Sequence, residues 1–287
     1  MDPINITSDS VPILGIKGFQ KTHFSGNTEI LFNELHGERY IEKPHKHDFF
    51  IIILFEKANG VHNIDSIDFQ IGNKEVHVLF PGQMHKWDIR SGTIGYQLMI
   101  EKPFLEQFAP AFRFSFTNYQ NHPVIRLNDD SFKKLLYEFN AIKEELTIKN
   151  SLKQLISARA AVIAAIVSKQ AEKEIDEFKI YQSHPRLAKF NQLIDEFYKE
   201  QKSIAFYADQ LNITPNYLNI LCKRNLYVHA LKLVNQRVVI EAKRLLQDPS
   251  ISIKIVAFTL GFADHAYFTN FFKNQTGLTP SQFRAQL

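Results

Sequence analysis

The chain has 287 residues, 45% of them hydrophobic, and a net charge of +4, which is enough apolar material for two domains with separate cores. Its longest unbroken apolar runs, Phe49 to Phe55 and Ala160 to Val167, fall far short of the roughly 20 residues a spanning helix needs. The MDPINITSDS start lacks a basic, apolar signal pattern, so neither membrane insertion nor secretion is expected, and a cytoplasmic location is. The one cysteine, Cys222, has no internal partner and lies in an apolar helical stretch, where a buried structural thiol is expected. Charge is uneven along the chain: from His184 onward there are 13 Lys and Arg against 7 Asp and Glu, while the first 183 residues carry 21 against 23. A basic C-terminal segment is the footprint of a polyanion-binding module, although a mild excess is also common on solvated surfaces.

Residues 1–127 read as strands. FFIIILFEK, NIDSIDFQI and EVHVLF are rich in Ile, Val and Phe and are separated by turn signals at NG, GN, PG and SG, which suggests an antiparallel barrel or sandwich. KPHKHDFF sets His45 and His47 two residues apart on one strand face, and PGQMHKW adds His85. Three imidazoles suit a divalent metal, and the pattern is similar to the two motifs of the cupin barrel. That likeness calls for a carboxylate four or five residues after the second histidine, where Ile51 and Ile52 stand. The expectation is therefore a metal-free barrel, with no cofactor, whose histidines hydrogen-bond or pack.

From Asp129 the period becomes helical: Phe132, Leu135, Leu136, Phe139, Ile142 and Leu146 form one stripe. After a break at KNS a second helix is expected from about Leu152 to Lys169. Its apolar ARAAVIAAIV centre needs cover, from the barrel or from the same helix of a second subunit, and both remain open. Residues 128–170 thus read as a helical pair and possible dimerisation element, and the charged 171–185 stretch ending in a proline reads as the linker. Everything from 186 to 287 reads as short helices, with start signals at Ser203, Thr214 before Pro215, Ser252, and Thr279 before Pro280.

This last segment contains an internal repeat. Ala208, Leu211, Ile213, Leu218, Cys222 and Lys223 match Ala257, Leu260, Phe262, Phe268, Phe272 and Lys273, with one extra residue in the second turn. Each copy is a short helix, a tight turn and a second helix, the layout of a helix-turn-helix. Phe262, Phe268, Phe271 and Phe272 fall at core spacing. The outer faces of the second helices are left for recognition: Asn216, Asn219, Ile220 and Lys223 in the first, and His265, Ala266, Thr269, Asn270 and Lys273 in the second. Asn and Thr suit base edges, and lysines at a helix end suit phosphate.

The run ISIKIVAFTLGFADHAYFTNFFKNQTGLTPSQFR resembles the signature of the AraC family of bacterial transcription regulators, and VNQRVVIEAKRLL resembles that family's linker helix. The resemblance covers about residues 184–287. It implies an all-α domain of two helix-turn-helix units joined by a linker helix, binding promoter DNA in successive major-groove segments. In it Gly277 is the left-handed stop of the second recognition helix, and Arg284 is structural. The first copy departs, with Tyr227, His229 and Ala230 in place of Gly277, Thr279 and Pro280. A tyrosine is costly at positive φ, so the first recognition helix is expected to end differently. The H-x-H, G, P-x-x-x-H pattern over residues 30–100 resembles the sensor domain of such regulators. It implies a small-molecule effector site, with Arg39, His45, His47, His85 and Trp87 as candidates.

The expected fold is thus α+β and multidomain: a cupin-like antiparallel β-barrel with following helices, then the all-α domain. The expected function is a ligand-responsive DNA-binding regulator and not an enzyme, homodimeric, contacting RNA polymerase if it activates. The rival is a metal-dependent cupin enzyme with an appended helical domain, and a regulator with no effector is a third reading.

Overall fold

The computed structural model describes residues 12–16, 29–114, 116–148 and 152–285, so the MDPINITSDS start and the KNS break lie outside the described residues. Two compact units are present, one from Pro12 to Phe178 and one from Lys179 onward.

Among the described residues the first unit holds ten strands: β1 (Ile13–Leu14), β2 (Ile30–His36), β3 (Arg39–His47), β4 (Phe50–Lys57), β5 (Gly60–Ile64), β6 (Ile67–Gln70), β7 (Glu75–Leu79), β8 (Met84–Ile89), β9 (Ile94–Ile100) and β10 (Val124–Arg126). They form two five-stranded sheets, ordered β1-β3-β8-β5-β6 and β10-β7-β4-β9-β2, antiparallel except where β1 runs parallel to β3. Between the sheets, Phe49, Ile51, Ile53 and Phe55 meet Leu31, Leu35, Ile64, Leu79, Trp87, Ile89 and Met99. The pleat sends Phe50, Ile52 and Leu54 the other way, yet these are buried too. Phe50 packs on Phe80 and Phe112, with ring centroids 5.0 and 5.9 Å away. An apolar run unbroken by alternation is thereby explained, because both faces of β4 are covered.

Residues 102–121, expected within the strand region, instead form α1 (Lys102–Phe108), a 3-10 turn (Ala109–Ala111) and α2 (Phe116–Asn121). Phe104, Leu105 and Phe108 fall at helical spacing and are buried, and Pro103 sits in the first turn, where its missing N–H does no harm. Helix α3 (Asp129–Thr147) is capped by Asn128, whose side chain accepts from the Ser131 backbone N–H. It packs on α4 (Lys153–Glu174), with Arg159 bonded to Glu138 at 3.0 Å. The apolar centre of α4 puts Ala160, Ile163, Ala164 and Val167 on its buried side and leaves Val162 exposed. Residues 171–185 are almost wholly helical: α4 runs to Glu174, and α5 (Asp176–Ser183) follows after Ile175.

The second unit contains α6 (Pro185–Phe197), α7 (Ile204–Gln210), α8 (Pro215–Leu226), α9 (Ala230–Leu246), α10 (Ile253–Thr259), α11 (His265–Thr276) and α12 (Pro280–Arg284). Ser203, Thr214, Ser252 and Thr279 each accept a backbone N–H at a helix start, and Thr279 completes a capping box with Gln282. Asp264 does the same for α11, accepting from Ala266 and Tyr267. Among the described residues no helix is long and apolar enough to cross a membrane.

The two repeat copies close alike. Ile213 N–H donates to Ala208 O, and Phe262 N–H donates to Ala257 O, both at 3.0 Å. The left-handed residue of the first turn is Asn212, and that of the second is Gly261. Gly261 is needed twice over, since a Cβ there would sit 1.9 Å from the Lys199 carbonyl oxygen and φ is +74°. Contrary to expectation, α8 ends as α11 does: Tyr227 takes the left-handed conformation at φ 58°, where Gly277 has φ 81°. A bulky side chain pays for that geometry in strain that its 88% exposure does nothing to offset. Arg284 donates to the Leu246 and Ile251 carbonyls at 3.0 and 2.8 Å, tying the last helix to the end of α9.

Candidate nucleic-acid interface and barrel histidine cluster

The second helices of the repeat, α8 and α11, bury Leu218 with Cys222 and Phe268 with Phe272, one turn apart on the inner face. Burial pushes the Cys222 thiol up to about 12, which leaves it inert at neutral pH. On the outer faces Asn216, Ile220 and Lys223 are exposed in α8, and His265, Ala266, Asn270 and Lys273 are exposed in α11. Asn219 and Thr269 are half-buried and engaged locally. The Thr269 hydroxyl donates to the His265 carbonyl. Asn219 donates to the Pro215 carbonyl and accepts from the Ala230 N–H at 3.1 Å. That second bond has a cause, because His229 provides no side-chain cap for α9 and the amide of Asn219 serves in its place.

Sequence reasoning passed over Tyr217 and Tyr267. They occupy the same position in the two copies, fifty residues apart, and are 40% and 65% exposed. Pairing the copies position by position would have found them. Helix α9 holds a charged cluster. Arg237 donates to Asp195 at 2.8 Å and to Glu241 at 3.3 Å, and stacks 4.1 Å from the Tyr198 ring centroid. Arg244 donates to the same Glu241. Burial alone would raise the Glu241 carboxyl, but the Arg244 and Arg237 guanidiniums outweigh it and hold it below its ordinary value.

In the first unit the strand registers bring five histidines together. His45 on β3 sits opposite His85 on β8, and His47, two residues further along β3, pairs with Leu14 of β1. One ligand atom from each of His45, His47 and His85 lies within 4.8 Å of the others, and all three rings are buried. His47 Nε2 and His85 Nε2 are 2.8 Å apart. His85 Nδ1 is 2.9 Å from His62 Nε2, and His62 Nδ1 is 2.9 Å from His77 Nδ1. His62 belongs to β5 and His77 to β7, so the last contact crosses from one sheet to the other. The row ends at Glu75, whose Oε2 is 3.6 Å from His77 Nε2 and accepts from the Gly72 N–H at 2.8 Å.

Burial depresses the proton affinity of every ring, taking His47 down to about 3 with help from His45, so all are neutral at pH 7. Trp87 packs 5.6 Å from His85 and 5.5 Å from His62, and its buried indole N–H has no hydrogen-bond partner among the described residues. Arg39 does not join this group. It is exposed at the far end of β3, beyond a register shift between Ile41 and His45. Sequence reasoning missed His62 and His77. Their only signal was strand alternation in VHNI and EVHV, which says which face a side chain takes and not what it meets there.

A family model described as a helix-turn-helix domain matches residues 207–286. The arabinose operon regulatory protein of Salmonella typhimurium is 30% identical over 141 residues, 49% of this chain and 46% of that protein. Over its C-terminal segment the chain is similar to transcription regulators of the AraC family. A second relative, the HTH-type transcriptional activator RhaR of Mannheimia succiniciproducens, is 18% identical over 251 residues, 86% of this chain and 90% of that one. The match to the arabinose regulator thus spans less than half of its length, whereas the AraC-family likeness to RhaR spans both units. Among solved structures, ToxT of Vibrio cholerae O395 aligns over 91% of this chain and 99% of its own, with a TM-score of 0.41 and 14% identity.

Proposed function

We propose that this protein is a sequence-specific DNA-binding transcription regulator whose N-terminal β domain takes an effector. The observation that carries the reading is the matched pair of helix-turn-helix units, each with an exposed outer face on its second helix. In α8 that face presents Asn216, Ile220 and Lys223, and in α11 it presents His265, Ala266, Asn270 and Lys273. Asn270 supplies both an amide donor and an acceptor, the pair that reads an adenine edge, and Lys223 and Lys273 supply phosphate charge. In α8 the exposed Ile220 stands where α11 has Asn270, so the second unit carries more of the base reading, and the first contributes apolar and backbone contacts.

The effector site is the histidine cluster with Trp87, in the β domain. An occupant favouring one state of that domain shifts the DNA-binding equilibrium by its difference in affinity between states. The protein acts as a homodimer on promoter DNA, and contacts RNA polymerase where it activates. The relatives named above are regulators, which supports this reading over the cupin enzyme.

The test is selection of bound sequences from a random duplex pool with full-length protein at two salt concentrations. Enrichment of a motif with two blocks about one helical turn apart is expected, with affinity falling as salt rises. Salt-sensitive binding with no enriched motif would remove sequence-specific recognition.

A further inference from the structure

We propose that His45, His47 and His85 form a binding site for a late first-row divalent metal ion of the zinc class, with His62, His77 and Glu75 as the hydrogen-bonded backing that sets the ligands' tautomers. Three imidazoles and no carboxylate form a donor set suited to zinc, copper, nickel or iron rather than to magnesium or calcium. The gap left by Ile51 and Ile52 does not count against such a site, because three protein ligands and one open position form a complete arrangement for zinc.

The row offers more places for protons than its neutral rings can fill. Each of the three nitrogen-to-nitrogen contacts, His47 to His85, His85 to His62 and His62 to His77, needs one proton between its partners. Both ends have an acceptor beside them that calls for one more: the Leu14 backbone lies against the His47 ring, and the Glu75 carboxylate faces His77 Nε2 at 3.6 Å. That makes five places, and four neutral rings carry four protons. Without an ion, either one place is empty or one ring is a buried cation.

An ion on the Nε2 atoms of His47 and His85 removes their mutual contact and leaves four places for four protons. His47 Nδ1–H then donates toward Leu14, His85 Nδ1–H to His62 Nε2, His62 Nδ1–H to His77 Nδ1, and His77 Nε2–H to Glu75. The third ligand is backed in the same way, because the Lys43 backbone hydrogen-bonds the His45 ring. Metal-bound imidazoles ordinarily donate their second N–H to a carbonyl, a carboxylate or a further acceptor, and here His85 has His62 for that role while the Leu14 and Lys43 backbones lie beside the other two rings. The 2.8 Å between His47 Nε2 and His85 Nε2 must open to about 3.4 Å, the separation of two nitrogens on one tetrahedral zinc, which a small turn of either ring supplies. Trp87 adds an independent sign. Its buried indole N–H lacks an acceptor beside His85, and a water or anion on the ion's open position would provide one.

Calling the ion an effector rests on the regulator reading, but the site itself does not. Its test uses chelator-stripped full-length protein titrated with Co²⁺, read by visible absorption and without DNA. Failure here would leave DNA recognition standing, and failure of motif selection would leave the site standing. One equivalent giving the bands of nitrogen-ligated cobalt, displaced by Zn²⁺, is expected. Binding should be lost in His85→Ala and kept in His36→Ala, whose ring is exposed on β2. His77→Gln keeps all three ligands and should weaken binding by about 10- to 100-fold through the backing alone. No cobalt bands at one equivalent, or equal binding by His85→Ala and wild type, would overturn the proposal. Should His85→Ala fail to fold, X-ray absorption on the zinc-loaded wild type decides the matter: three imidazole ligands support the site, and fewer overturn it.

Discussion

Tyr227 shows how one residue can keep a geometry that its chemistry disfavours. It ends α8 in the left-handed region with its ring in solvent, so the strain has no packing return. Tyr227→Gly should raise stability by about 0.5 to 1 kcal/mol in urea unfolding, the relief of left-handed strain less the entropy of a new glycine. An unchanged or lower midpoint would mean that the ring makes a stabilising contact. Asn219 and Asn270 are the same residue type in different settings, one bonded within the domain and one exposed. Asn219→Ala removes the acceptor for the Ala230 N–H at the start of α9, and a loss of about 1 kcal/mol of stability is expected. Asn270→Ala should leave stability alone and weaken binding to the selected DNA site by about 1 to 3 kcal/mol, relaxing one base position. The opposite pattern in the two variants would reverse these roles.

At the scale of elements, the helix-turn-helix units are held by turns and by charge behind them. Gly261→Ala would drive a Cβ into the Lys199 carbonyl from a conformation alanine avoids. A loss of more than 2 kcal/mol is expected, with unfolding of the C-terminal unit seen by circular dichroism. A variant as stable as wild type would show that the backbone can retreat there. The Glu241 cluster predicts an acid sensitivity of definite sign. Its folded carboxyl lies below the unfolded value of 4.5, so its contribution is complete above that pH and is lost as pH falls through the lower folded value. Stability of wild type should therefore drop below about pH 4.5 more steeply than that of Glu241→Gln. The Gln variant should itself be weaker at pH 7 by roughly 3 kcal/mol, because Arg237 and Arg244 lose a buried partner. Parallel pH profiles would show that other carboxylates dominate.

Across the whole molecule, composition supplies a local probe. Trp87 is the single tryptophan, and it sits in the β domain against His62 and His85. A molecule or ion entering the histidine cluster should change the tryptophan emission saturably, at one equivalent per chain. Titrants that alter DNA binding without moving that emission would place the effector elsewhere. Because α8 and α11 lie in the unit from Lys179 onward, the emission reports on the β domain and leaves those helices unlabelled.

The helix-turn-helix unit was legible because its signals are local. Ser203, Thr214, Ser252 and Thr279 cap helices through bonds spanning two or three residues, Gly277 stops one by its own backbone freedom, and the repeat is visible by aligning the chain with itself. Local chemistry misjudged Tyr227, where the turn imposed a left-handed residue on an unsuited side chain, and Asn219, whose partner lies eleven residues on. The β domain was legible only in outline. Alternation announced strands, but residues 102–121 became helices under the outer face of β4. The row from His47 to Glu75 arises from the register of β3 on β8 and β5 on β8, and from the closing of β5 over β7 across the core. The sequence by itself determined the repeat, the caps and the residue types on the outer faces of α8 and α11, since each depends on neighbours a few positions away. Only the tertiary structure decided which histidines share protons, because strand register and sheet packing bring together side chains that no local spacing connects.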